Sequence, residues 1–65
     1  MERGDRVAYV RDPGLYGPML VEEVTFRGWV WCVEDHDGEL RQRCGPFKPA
    51  ELDDAAKFYL EPVPS

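Results

Sequence analysis

The chain is poor in the residues from which small catalytic and metal sites are built. Its only serine is the last residue, Ser65, its only histidine is His36, and its two cysteines, Cys32 and Cys44, form no CxxC pair. The first excludes a serine triad. The last removes the knuckle that usually grips a structural zinc from one turn. Positive charge is also short: eight basic against thirteen acidic residues leave a net charge of −5. That field opposes the counterion displacement behind nucleic-acid binding, and it opposes approach to an anionic membrane. No apolar run reaches the length that spans a bilayer, and the start MERGDRV lacks the apolar stretch of a secretion signal. A cytoplasmic address, where thiols stay reduced, is the expectation.

What the chain does have is apolar and aromatic. The apolar fraction is 43%, with two tryptophans, three tyrosines and three phenylalanines, which argues for a packed core rather than disorder. Residues 1–65 make one domain at most, without repeat, linker or low-complexity segment. A chain this short buries only ~60% of the surface its unfolded form exposes. Such chains often add a disulfide, a metal or a partner subunit.

Residues 5–10, DRVAYV, alternate polar and apolar and predict a strand. RDPGLYGP reads as a loop with a tight turn at Pro13-Gly14. Residues 19–26, MLVEEVTF, predict a second strand, broken by Arg27-Gly28, and WVWCVE, residues 29–34, a third. Asp37-Gly38 is a leading signal for a two-residue hairpin, with ELRQRC as the returning strand and Gly45-Pro46 as its end. Pro49 then opens a short helical segment, PAELDD. Residues 57–63 fit a last strand, with Phe58 and Leu60 alternating, or a continued helix. A helical turn followed by a strand is the preferred reading. Four or five short strands with one helical turn predict a mainly β fold, a small SH3-like antiparallel barrel.

The order GDRV (residues 4–7), GPM (17–19), GWVWC (28–32), a Gly-Glu turn, then a late Phe and Leu resembles the YodC-like family of small uncharacterised bacterial proteins. The likeness covers residues 4–53, and it implies an SH3-like barrel and no function. Tyr16-Gly17 stands where that family has paired glycines, and Val33-Glu34 where it has Arg-Trp. GDRV and PAEL also resemble the plasmid-borne type II dihydrofolate reductases, which build one active site by assembling into a tetramer. Their Val-Gln-Ile-Tyr strand has no counterpart here, since ELRQRC lacks the apolar partners and the tyrosine.

The stretch from Gly28 to Cys44 holds both tryptophans, both cysteines and the histidine. Cys32, His36 and Cys44, with Asp35 or Asp37, are zinc-ligand types, but His36 lies ~13 Å along the strand from Cys32 at 3.3 Å per residue. The same distance separates a thiolate from its base. DHDGE echoes a calcium loop, but Glu39 comes too soon for the distal bidentate carboxylate. Two buried cysteines and an exposed histidine are the plainer reading. Two registers stay open. A two-residue loop sets Cys32 opposite Arg43 and turns Trp29 and Trp31 toward the core side with Leu40 and Cys44. A three-residue loop sets Cys32 opposite Cys44, turns Val30 and Cys32 inward, and lays the tryptophans beside Arg41 and Arg43. Turn chemistry favours the first, and the family likeness favours Cys32 inward.

In either register the strand is apolar on both faces, so its second face needs cover. The resulting expectation is a non-enzymatic protein-binding or assembly module. It would meet a protein partner or a second copy through a surface of Trp29, Trp31, Arg41 and Arg43, with Tyr16 as a further contact. No cofactor, metal, nucleic acid or membrane is expected. The alternatives are a subunit of an oligomeric enzyme whose site forms on assembly, and a nucleic-acid module built on Arg41, Arg43 and the aromatics.

Overall fold

A computed structural model describes residues 1–59. The alternating segments form β1 (Arg6–Tyr9), β2 (Met19–Val24) and β3 (Val30–Glu34), followed by β4 (Arg43–Phe47) and β5 (Leu52–Asp54). They make one antiparallel sheet in the order β4-β3-β2-β1-β5. Alternation along β2 and β3 places Met19, Val21, Val30 and Cys32 on one side, each at most 2% exposed. Residues from both sheet edges, Cys44 and Phe47 of β4 and Leu52 of β5, join Val7 in that same cluster. A flat sheet would hold its edges apart, so this one curls around its core. A register shift between Val21 and Glu23 in β2 supplies a bend. The result is the mainly β fold expected from the sequence, one curled antiparallel sheet consistent with a small SH3-like barrel, with helical turns at Pro13–Tyr16, Pro49–Glu51 and Ala55–Lys57.

Three aromatic rings draw β1 and β4 together where no ladder joins them among the described residues. Tyr9 of β1, Tyr16 and Phe47 lie 5.4–5.5 Å apart, centroid to centroid, in edge-on and tilted geometry. Tyr16 reaches them because Pro13–Tyr16 is one turn of helix, α1, with the proline at its start, rather than a loop with a tight turn.

The second half of the chain departs further from expectation. Asp37-Gly38 forms no two-residue hairpin, because neither residue takes the positive φ that such a turn requires. Pairing between β3 and β4 stops at Glu34, whose N–H donates to the Gln42 carbonyl (3.1 Å), and the residues between form a long exposed loop. The returning strand therefore starts at Arg43, and Gly45-Pro46 lies inside it rather than ending it. A proline is tolerated there because β4 is an edge strand. Gly45 is required: its φ is +118°, and a Cβ would stand 3.0 Å from the Val30 carbonyl oxygen.

PAELDD is helical only at Pro49–Glu51, a 3-10 turn; Leu52–Asp54 leaves it to pair with β1, Tyr9 facing Leu52 and Val7 facing Asp54. The last strand among the described residues thus comes before residue 57. Ala55–Lys57 forms a second 3-10 turn, capped by the Asp54 carboxylate accepting from Ala56 N–H (3.0 Å), and residues 60–63 lie outside the described residues. No helix among the described residues is long and apolar enough to cross a membrane.

Candidate contact surface

The register between β3 and β4 settles which way the tryptophans face. Cys32 pairs with Cys44 and Val33 with Arg43, so the cysteines point into the core and Trp31 and Val33 point outward. Turn chemistry favoured the other register. It failed because Asp37-Gly38 is not the turn, while the cysteine-inward arrangement implied by the family likeness is the observed one.

On the outer face, cross-strand pairs line up Leu20, Val33 and Arg43 in one row and place Glu23 beside Trp31. The Arg43 guanidinium lies 4.2 Å from the Trp31 ring centroid. Two carboxylates hold it there, Glu22 at 3.4 Å and Glu23 at 3.1 Å. Lys48, just beyond β4, stands 5.8 Å over the Trp29 ring. The second apolar face is thus covered in part by the chain's own cations.

Cover gives out at the turn between β2 and β3. Thr25 N–H donates to the Trp29 carbonyl (2.8 Å), Gly28 N–H to the Thr25 carbonyl (2.9 Å), and Trp29 N–H to Thr25 Oγ1 (3.0 Å). Gly28, at φ +84°, lets the chain reverse. This ordered turn presents Phe26 fully to solvent, with Val24 43% and Trp29 38% exposed in the same hairpin end.

The expected surface residues therefore separate. Trp29, Trp31 and Arg43 share the outer face. Arg41 lies in the exposed loop after β3, apart from any described ion pair. Tyr16 is engaged in ring packing against Tyr9 and Phe47, and not with the tryptophans. Phe26 and Val24 were missed, because both continue the β-rich run of residues 19–26. The available signal was Phe26 standing directly before the Arg27-Gly28 break.

The polar residues of the stretch from Gly28 to Cys44 hold the loop together. Gly38 N–H donates to His36 Nδ1 (2.9 Å), so the ring proton sits on Nε2 and is directed at Glu34 Oε1 (3.3 Å). Glu34 also accepts from Gln42 N–H (2.9 Å). That backbone bond, with the His36 bond, holds its carboxyl below the ordinary value. Both imidazole nitrogens are engaged in these local bonds. No three His, Cys, Asp or Glu among the described residues are placed to hold a metal ion. Burial pushes the Cys32 thiol up to about 11, with Cys44 and Glu22 adding to the effect, and burial raises Cys44 as well. An open groove of about 660 Å³ runs beside β1 and β5, lined by Asp5, Arg6, Leu52 and Asp53 among others, and shares no residue with the tryptophan face.

Compared with known proteins, the chain matches no family model, no curated protein and no solved structure.

Proposed function

We propose that the protein is a non-enzymatic contact module that meets a second copy of itself or another protein through the end of its β2–β3 hairpin. One observation carries this reading. Phe26 is wholly exposed on a turn fixed by hydrogen bonds, with Val24 and Trp29 still open to solvent in the same hairpin end. An aromatic side chain held on a rigid turn loses little freedom on docking, and such residues tend to dominate binding energy. Trp31 under Arg43, and Lys48 over Trp29, extend the surface with a polar rim. A cytoplasmic setting belongs to the same proposal, as does membership of the YodC-like family, which rests on the short motifs alone. A nucleic-acid surface on Arg41, Arg43 and the aromatics has less support, since Glu22 and Glu23 already engage Arg43 and the net charge is −5. An enzyme subunit completed by assembly has no specific observation in its favour among the described residues.

The test is the solution mass by light scattering on a sizing column, with and without reductant. Self-association predicts a mass above one chain that reductant does not change. Phe26→Ser with Trp29→Ala should return it to one chain that is still folded, as read from its circular dichroism. A wild-type monomer at every concentration excludes the second copy. The foreign partner then stands or falls on whether the same double variant abolishes binding in a direct screen.

A further inference from the structure

Cys32 and Cys44 are a nucleophilic pair that the contact surface does not use. They are direct ladder partners in β3 and β4, and both are free thiols. Glu34 N–H bonds to the Gln42 carbonyl at 3.1 Å, which marks Glu34 and Gln42 as a hydrogen-bonded position of the ladder, although the Gln42 N–H itself goes to the Glu34 carboxylate. Two residues along, Cys32 and Cys44 are the next such pair. Hydrogen-bonded partners stand about 5.5 Å apart at Cα, within the range of about 4.4–6.8 Å that a disulfide spans. Both side chains face the same core, Cys32 at 0% and Cys44 at 7% exposure. The bond can therefore form without a change of register.

We propose that Cys32 and Cys44 are a redox pair that closes reversibly into an intrachain cross-strand disulfide, with a hydroperoxide as oxidant. Cys44 is the entry point. It lies on the edge strand, keeps the greater exposure, and its Sγ donates to the Gln42 carbonyl (3.6 Å) at the base of the exposed loop. The Cys44 thiolate attacks the peroxide O–O bond and becomes a sulfenic acid, and the distal oxygen leaves and is protonated to water or an alcohol. The Cys32 thiolate then attacks the Cys44 sulfur, the S–S bond forms, and the sulfenic oxygen leaves as water. Two thiols have lost two electrons and two protons, and the hydroperoxide has taken up both. Both thiols are held protonated at neutral pH, so closure is slow and answers sustained oxidation rather than a brief pulse. The bond ties β3 to β4 next to Trp31 and Arg43 and so fixes the cation over its ring. The proposal is independent of the contact-surface reading.

The test uses the full chain, reduced, then exposed to hydrogen peroxide at mildly alkaline pH, denatured and alkylated for mass spectrometry. The expected product is one chain lighter by two hydrogens, with neither thiol alkylated, and restored by dithiothreitol. Its melting temperature should rise on the order of 10 °C, because the closed loop constrains the unfolded chain. Two alkylatable thiols, a terminal sulfinic acid at Cys44, or a cysteine-linked dimer as the only product would overturn the proposal. So would a fall in melting temperature, which would mean that the bond distorts the sheet. Cys32→Ala isolates the first step: a sulfenic acid trapped at Cys44 is expected, and its absence removes Cys44 as the attacking thiol. The wild-type masses decide closure whether or not that variant folds.

Discussion

Two hairpins leave β3, one at each end, and they are built on opposite plans. The connection from β2 is a tight turn closed by backbone bonds and one threonine hydroxyl, and it presents apolar side chains. The connection to β4 is a long loop anchored at its base by Glu34, His36 and Gln42, and its residues from His36 to Gln42 are all exposed. Rigidity resides in the first and tolerance in the second. A contact surface gains from the former, because side chains that are already fixed lose less freedom when a partner docks. The most evident turn signal in the sequence, Asp37-Gly38, lies in the looser of the two.

The largest expected effect contrasts residues tied to each hairpin. Val30, fully buried just after the tight turn, should cost about 2–3 kcal/mol on truncation to alanine in a urea melt. Leu40→Ala in the long loop, where the side chain is 88% exposed, should change stability by less than about 0.5 kcal/mol. Equal losses would mean that the loop packs in solution.

The strand between the hairpins can be probed through pH. Cys32 titrates higher in the folded chain, about 11, than its ordinary 9.0. Its contribution is therefore complete below pH 9 and is lost as pH rises through the folded value. The loss reaches at most about 2–3 kcal/mol. Denaturant melts of the wild type and Cys32→Ala across that window should converge as pH rises, and parallel curves would refute the assignment.

Thr25→Val keeps the shape of the tight turn but removes the acceptor for Trp29 N–H, for an expected loss of about 1 kcal/mol. The smallest effect belongs to the long loop. Glu34 has its carboxyl pKa lowered in the fold, so its contribution is present above the ordinary carboxylate range and lost as pH falls through the lowered value. His36→Ala should move the Glu34 pKa, followed by NMR, back toward its ordinary value with little change in melting temperature. A Glu34 titration unchanged by that substitution would show that the imidazole is not its partner.

The contrast also explains what could be read from the residues. β1, β2 and β3 were legible because DRVAYV alternates and MLVEEV and WVWCVE are rich in strand-forming residues. Burial alternates along β2 and β3, whereas Val7 and Ala8 of β1 are both buried. β4 was displaced because a glycine and a proline look like an ending. Only the carbonyl of Val30 facing Gly45 shows why the strand runs through them. The direction of Trp29 and Trp31 was undecidable, since it depends on a register fixed by Cys32 meeting Cys44 across the sheet. Tyr16 was read as a contact because its packing partners, Tyr9 and Phe47, come together only in three dimensions. Phe26 was missed for the converse reason: a strand-forming residue at a turn carries no local mark of exposure.

The three-residue strand β5 has a consequence for how the chain reaches this form. It pairs with β1, so Val7 gains its second strand neighbour, and Ala8 its ladder partner, only when residues 53 and 54 arrive. During synthesis the β1–β2–β3 meander can assemble first, but it carries an open edge along β1 until almost the whole described chain has emerged. An unpaired edge of this kind invites pairing with other chains. Contacts between distant parts of a chain also form late, because the intervening segment must first surrender its freedom. Released chains truncated after Glu51 should therefore be more prone to association than chains that extend past Asp54 and so include β5.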